Sequence, residues 1–271
     1  MNPNEGESRE IPTKEWYDFI GNLGDIIPAL HLGGEKATND LLKMCNITSE
    51  LSVLDVGCGT GYTACKIAKE YGSMVTGIDI SEIMISKAKN RAKKEGLKEK
   101  VEFKVADVFN LPFEDDSFDI ALLESVLTPI PGNKLYALRE IIRVVTLGGI
   151  IGANESIIME SAPEEFLKLI EKHPATYDLF TPEKLRALFE KAGLNVIELS
   201  IVKSLEAPKA MREMGLTKLI SFMVKSYWRV LGKLIMDSRF RRAAKIDDQV
   251  SKFISEHGGY VLITGKVEKR G

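Results

Sequence analysis

The chain has 271 residues, 44% of them hydrophobic and 28% charged, with a formal net charge of −2. That length carries one large core, or one core plus a cap, and the near balance of charge gives no global drive toward nucleic acid. Three cysteines, Cys45, Cys58 and Cys65, cannot pair fully and lack metal-ligand spacing, which with no signal peptide and no apolar run of spanning length points to a reducing, cytoplasmic setting.

In chain order, Pro12 and Thr13 start a helix carrying Trp16, Tyr17, Phe19 and Ile20, and residues 35–45 form a second helix. Between them runs His31-Leu32-Gly33-Gly34. Residues 51–56 are a short apolar, β-branched strand, followed by an amphipathic helix over 63–71 and a second strand containing Val75, Gly77 and Ile78. Ser81 caps a helix that stops at Gly96, residues 101–105 give the third strand and 118–127 the fourth. A helix over 132–144 precedes a fifth strand at 149–154. Thr181-Pro182-Glu183 starts another helix that ends at Gly193, and strands follow at 196–202 and 259–267. Strand and helix alternate as a doubly wound sheet requires.

The chemistry concentrates where the first strand meets its helix. Residues 53–61 read Val-Leu-Asp-Val-Gly-Cys-Gly-Thr-Gly. Gly57, Gly59 and Gly61 remove three Cβ atoms from a tight turn, so a ligand can lie against backbone whose N–H groups open the next helix. Asp79 ends the neighbouring strand, where a carboxylate can accept both hydroxyls of a ribose. A dinucleotide fingerprint would need a third glycine where Tyr62 stands, and Asp55 would meet the pyrophosphate with a like charge. A cofactor with an ammonium group and no phosphate, such as S-adenosylmethionine, suits Asp55 better.

With these motifs the chain resembles the class I S-adenosylmethionine-dependent methyltransferases, particularly the small-molecule branch that includes ubiquinone and menaquinone methyltransferases; the likeness runs from about Leu51 to Gly152. It implies an α/β, Rossmann-like, doubly wound seven-stranded sheet of order 3-2-1-4-5-7-6 with strand 7 antiparallel, N-terminal helices and a helical insert between strands 6 and 7. It also implies that Asp55, Gly57, Cys58, Gly59 and Gly61 hold the methionine part of the donor, that Asp79 binds ribose and that Ile80 packs on adenine. Asp107 and Val108 would meet the adenine amino group and a ring nitrogen, and Glu124 would end the strand beside the methyl donor. The product would be S-adenosylhomocysteine. Leu147-Gly148-Gly149 stands where the family usually has Lys-Pro-Gly-Gly. In related enzymes the segment before the first strand folds over donor and acceptor, which makes Tyr17 and His31 pocket candidates.

The expected organisation is an N-terminal helical cap at 1–48, a core at 49–204 and 257–268, and an insert at 205–256. In the insert Leu216, Leu219, Ile220, Met223, Tyr227, Leu231 and Leu234 recur at helical spacing, and between Lys209 and Lys245 ten Lys or Arg face two acids, Glu213 and Asp237. Such a basic amphipathic stretch reads as a cap over the substrate, as a surface for an anionic membrane, or as a subunit interface of a homo-oligomer. For an acceptor whose nucleophile carries a proton, the candidate bases are Glu155, Glu124 and His31. His31, His173 and His257 are too scattered to read as a metal site, so no metal is expected. Glu-Ser-Val-Leu-Thr-Pro after the fourth strand lacks the proline-containing motif of nucleic-acid-modifying members, which leaves a small-molecule acceptor. A non-catalytic donor-binding protein stays open beside the enzyme, and so does a membrane-peripheral enzyme acting on a lipid or quinone-like acceptor.

Overall fold

A computed structural model describes residues 10–21, 31, 33–159, 163–173, 178–203 and 236–268. Seven strands form one sheet in the order β3-β2-β1-β4-β5-β7-β6. They are β1 (Ser52–Val56), β2 (Met74–Asp79), β3 (Val101–Val105), β4 (Phe118–Glu124), β5 (Val145–Ile158), β6 (Leu194–Lys203) and β7 (Gly258–Val267). β1 to β5 pair in parallel and β7 runs antiparallel to both β5 and β6. The strand order reverses between β1 and β4, and the crevice of a doubly wound sheet opens at that point, beyond the carboxyl ends of the strands.

Strand residues alternate between two apolar layers, as a pleated strand buried on both faces must. Leu54, Ala121, Leu123 and Ile151 face α5 (Lys134–Val144) and α7 (Pro182–Ala192). Val53, Val75, Ile120 and Leu122 face α2 (Gly34–Met44), α3 (Tyr62–Glu70) and α4 (Glu82–Glu95). Local signals set the helix ends. Ser81 Oγ accepts from Met84 N–H at 3.1 Å and Asn133 Oδ1 from Tyr136 N–H at 3.2 Å, while Gly96 and Gly193 stop their helices in the left-handed conformation.

Two stretches differ from their expected extents. The fifth strand, expected from 149, already runs from Val145, so Leu147-Gly148-Gly149 lies inside β5, where Gly148 at φ +83° marks an irregularity in the pairing with β4. The fourth strand stops at Glu124 rather than running to 127, because Ser125 takes φ +57° and turns the chain out of the sheet.

The N-terminal helix and the helix before β7 meet beside the sheet. α1 (Thr13–Gly21) and α8 (Ser238–His257) share a cluster of Ile11, Trp16, Phe19, Phe240 and Ala243, with the Phe19 and Phe240 rings 4.7 Å apart. α8 also packs Ile246 and Val250 against Phe166 and Ile170 of α6 (Glu164–Glu171). The apolar stripe from Leu216 to Leu234 lies outside the described residues. Of the basic residues on α8, Arg239 pairs with Asp237 and Glu15, and Arg242 with Glu10. Among the described residues no helix is long and apolar enough to cross a membrane.

Candidate active site

The glycine turn is held by its neighbours and by one bond of its own, from Gly61 N–H to Cys58 O at 2.9 Å. Gly57 sits at φ +65°, and a Cβ there would meet Val126 Cγ2 at 2.8 Å. The Cys58 N–H donates to Ile78 O at 2.8 Å, which ties the turn to β2 and buries the thiol, whose titration burial pushes well up. Gly59, at φ +52°, donates its N–H to Asp79 Oδ2 at 3.0 Å, and a Cβ on it would meet nothing within 4 Å. This is an open cradle three residues past the end of β1. Gly61 then leads, left-handed, into α3.

Asp79 is 7% exposed and its carboxylate is clamped from two sides, Oδ2 by Gly59 N–H and Oδ1 by Ser81 N–H at 2.9 Å. Burial raises its pKa to about 6, against the pull of those two amides. A carboxylate oxygen has two acceptor sites, so each keeps one for a further donor. Ile80 follows, half-buried. Ala106 N–H donates to Asp79 O at 3.1 Å and so brings the segment after β3 beside it. In that segment Asp107 Oδ1 accepts from Phe109 N–H at 3.0 Å, and Val108 is buried.

Across the turn lie two acids. Asp55 is 2% exposed, and its Oδ2 has no hydrogen-bond partner. Burial pushes its carboxyl well above the usual carboxylate range, and the nearby Glu124 pushes it the same way. Leaving a buried acceptor unsatisfied costs about 1–3 kcal/mol. A cation bearing N–H groups placed here would satisfy Oδ2 and relieve both acids. Glu124 is anchored by Thr63, whose hydroxyl donates to Oε2 at 2.6 Å, and by Thr38, which donates to Oε1 at 2.9 Å. His31 Nε2 lies 3.2 Å from Oε1 and 3.1 Å from Thr38 Oγ1, and His31 Nδ1 lies 2.8 Å from Asn154 Nδ2. With the Asn154 amide donating to Nδ1, the network assigns the ring proton to Nε2, facing Glu124.

The structure therefore brings His31 and Glu124 together and adds Thr38, Thr63 and Asn154. Neither threonine carries a motif, and each meets Glu124 only through the fold. Tyr17 lies on α1, packed on the cluster of Trp16, Phe19 and Phe240.

Glu155, a candidate base by its place after β5's Asn154, is fully buried, and its oxygens accept from the N–H groups of Val126, Leu127 and Thr128 and from the Thr128 hydroxyl, at 2.7–3.1 Å. Its carboxylate is the anchor of the loop that Ser125 turns out of β4. A side chain whose acceptor sites are filled by its own backbone is poorly placed to take a proton from a substrate. Burial raises its pKa, while those four donors oppose the shift.

Among the described residues, no group of three or more His, Cys, Asp or Glu is placed to hold a metal ion. What the site offers is a carboxylate with two acceptor positions for a vicinal diol, an open glycine cradle, and a buried acid that calls for a cation. S-adenosylmethionine carries a ribose, an ammonium and a sulfonium, and these residues fit it.

Comparison with known proteins gives the same answer. A methyltransferase-domain family model matches residues 47–193, more than half of the chain. A methyltransferase of Streptomyces halstedii, GfsG, is 31% identical over 196 residues, covering 71% of this chain and 69% of its own. Among solved structures, the [4+2]-cyclase SpnF superposes with a TM-score of 0.75 at 22% identity, over 96% of this chain and 97% of its own. A Haemonchus contortus phosphoethanolamine N-methyltransferase in complex with S-adenosylhomocysteine gives a TM-score of 0.69 at 18% identity, over 96% of this chain and 61% of its own. These two likenesses concern the fold. The family match and the sequence relatives, joined to the seven-stranded order, make the chain a member of the class I S-adenosylmethionine-dependent methyltransferases.

Proposed function

We propose that the enzyme binds its donor between the ends of β1, β2 and β3 and methylates a small-molecule acceptor that reaches it beside the ends of β4 and β5. The observation that carries this reading is Asp55 Oδ2, a buried carboxylate oxygen without a partner at the foot of the open glycine cradle. When bound, S-adenosylmethionine supplies a methyl group on a sulfonium, which a nucleophile displaces.

The chain's own residues bind and align. Asp55 and Glu124 hold the ammonium and Gly59 leaves room for the methionine part, with Gly57, Cys58 and Gly61 shaping the turn. Asp79 accepts the ribose hydroxyls with the lone pairs that Gly59 and Ser81 leave. Ile80 and Val108 flank the adenine, and Asp107 accepts from its amino group. Tyr17 and His31 close the pocket from the N-terminal side. Because the sulfonium charge vanishes as the bond breaks, no new anion needs stabilising, and alignment can supply about 7–11 kcal/mol of barrier reduction.

For an acceptor whose nucleophile carries a proton the base is His31, through Nδ1, which can take the proton only once the Asn154 amide turns its oxygen toward the ring. Glu124 lies across the ring to balance the imidazolium, and Asn154, an amide that accepts as well as donates, can serve either state of Nδ1. Glu155 acts through the 126–128 loop, not on the acceptor. The packing of α1 against α8 supports a cap made of the N-terminal segment and the insert over the core. The described cations of α8 that meet acids within the chain favour this cap over a membrane surface. Three buried free thiols suit a reducing compartment.

The test is turnover of methyl-labelled donor with fractionated metabolite extracts. Transfer of label to a small molecule, lost in Asp55→Ala, supports the reading. Label transferred only to protein or nucleic acid would replace it.

A further inference from the structure

We infer that Asp18, on the N-terminal helix, is a positioning residue of the donor site: through Ser81 it sets the Asp79 carboxylate, so that docking of α1 is felt as donor affinity. The inference rests on the donor reading given above and extends it to a residue no motif marks.

The geometry is a relay of hydrogen bonds, of which the one between Ser81 and Asp18 is short. The Ser81 hydroxyl donates to Asp18 Oδ1 at 2.5 Å and accepts from Met84 N–H at 3.1 Å, while the Ser81 backbone N–H donates to Asp79 Oδ1 at 2.9 Å. Asp79 Oδ2 is in turn fixed by Gly59 N–H in the glycine turn. A hydroxyl that donates to a carboxylate becomes a stronger acceptor, because linked hydrogen bonds polarise one another. Asp18 therefore tightens the cap of α4, and the cap fixes the direction of the one amide that orients Oδ1. The carboxylate of Asp18 also sits at the amino end of α4, where the helix dipole favours negative charge.

α1 is held there at both ends by contacts independent of Ser81. Lys14 Nζ meets Glu82 Oε1 at 2.8 Å, and Lys87 Nζ donates to Gly21 O at 2.7 Å. The other side of α1 carries Trp16 and Phe19 into the cluster with Phe240 of α8. A continuous path thus runs from α8 through α1 and Ser81 to Asp79 and Gly59. Turning the Asp79 carboxylate would misalign the two lone pairs left for a vicinal diol, so the expected loss is in recognition of ribose and not of adenine or the methionine part.

The experiment measures binding of S-adenosylhomocysteine and of its 2′-deoxyribose analogue by calorimetry, to the wild type and to Asp18→Ala, Asp18→Asn and Ser81→Ala, with melting temperatures recorded for each. Asp18→Ala is expected to bind S-adenosylhomocysteine about tenfold more weakly, as for loss of one charge-assisted hydrogen bond. Its preference for the ribose over the deoxyribose ligand should shrink by a similar factor. Asp18→Asn, which keeps an acceptor oxygen, should fall between the two. A merely structural role would lower the melting temperature and leave the ribose preference untouched. Affinity within twofold of wild type in folded Asp18→Ala, or an unchanged ribose preference, would overturn the inference. Failure of the wild type itself to bind S-adenosylhomocysteine would instead sink the donor reading.

Discussion

At the ends of β1 and β2 the groups facing the crevice are set mainly by backbone: Gly59 and Ser81 N–H clamp Asp79, and Cys58 N–H ties the turn to β2. At the ends of β4 and β5 they are set by side chains that meet across long stretches of chain, with Thr38 reaching Glu124 over 86 residues and Asn154 reaching His31 over 123. The first half can be specified by a few residues of sequence, since a turn's backbone amides need only the right glycines. The second half exists only once α2 and the N-terminal segment have docked.

Perturbing each half should give a different signature. The largest effect is expected at Glu155. Glu155→Ala leaves three backbone amides and a hydroxyl without their acceptor, at about 1–3 kcal/mol each. Stability should fall by roughly 4 kcal/mol or more, and the melting temperature by on the order of 10 °C. Thermal unfolding checks this, and an unchanged midpoint would return Glu155 to the list of substrate-facing groups.

Next comes His31. His31→Ala should lower turnover about 10²–10⁴-fold on an acceptor with a protonated nucleophile while changing donor affinity by less than about threefold. A combined loss of both, seen in kcat and donor Kd together, would move His31 from the acceptor half to the donor half. Asp79→Ala should do the opposite and weaken donor binding about a hundredfold, the value of two hydrogen bonds to a charged acceptor at roughly 1.5 kcal/mol each.

The smallest effect is that of pH on the donor half. Asp79 has a pKa of about 6 in the folded protein, raised from 3.8 chiefly by burial. The folded state therefore holds a proton that the unfolded chain has released between these values, so this group's contribution to stability falls as pH rises from 4 to 6. Donor binding needs the ionised carboxylate. Through Asp79 alone affinity should fall by about tenfold per unit below pH 6, with proton uptake from buffer on release of ligand, and the raised Asp55 adds a further fall as pH drops. Titrations between pH 5 and 8 in buffers of different ionisation enthalpy would show it, and a flat profile to pH 5 would mean that Asp79 is not the ribose acceptor.

The legibility of the fold follows the same division. Caps at Ser81 and Thr181, stops at Gly96 and Gly193, and the glycine turn are local signals, and each element they bound lies within a few residues of its expected place. Ser125 was not readable as a strand stop, because a serine at positive φ has no sequence mark and is held here by its N–H bond to Asn154 O at 2.7 Å. That turn is also why Glu155 looked like a base: the loop that fills its oxygens returns only because β4 ends two residues before Val126. Thr38, Thr63 and Asp18 were invisible for the same reason, each being an ordinary helix residue until a distant partner arrives.

The most direct test of the donor site is calorimetric titration of the wild type and Asp55→Asn with S-adenosylhomocysteine and with NAD. The wild type is expected to bind S-adenosylhomocysteine and not NAD, and Asp55→Asn, which keeps the shape and removes the charge, to bind at least about tenfold more weakly, as for one lost charge-assisted hydrogen bond. NAD binding without S-adenosylhomocysteine binding, or equal affinity in Asp55→Asn, would contradict the donor reading.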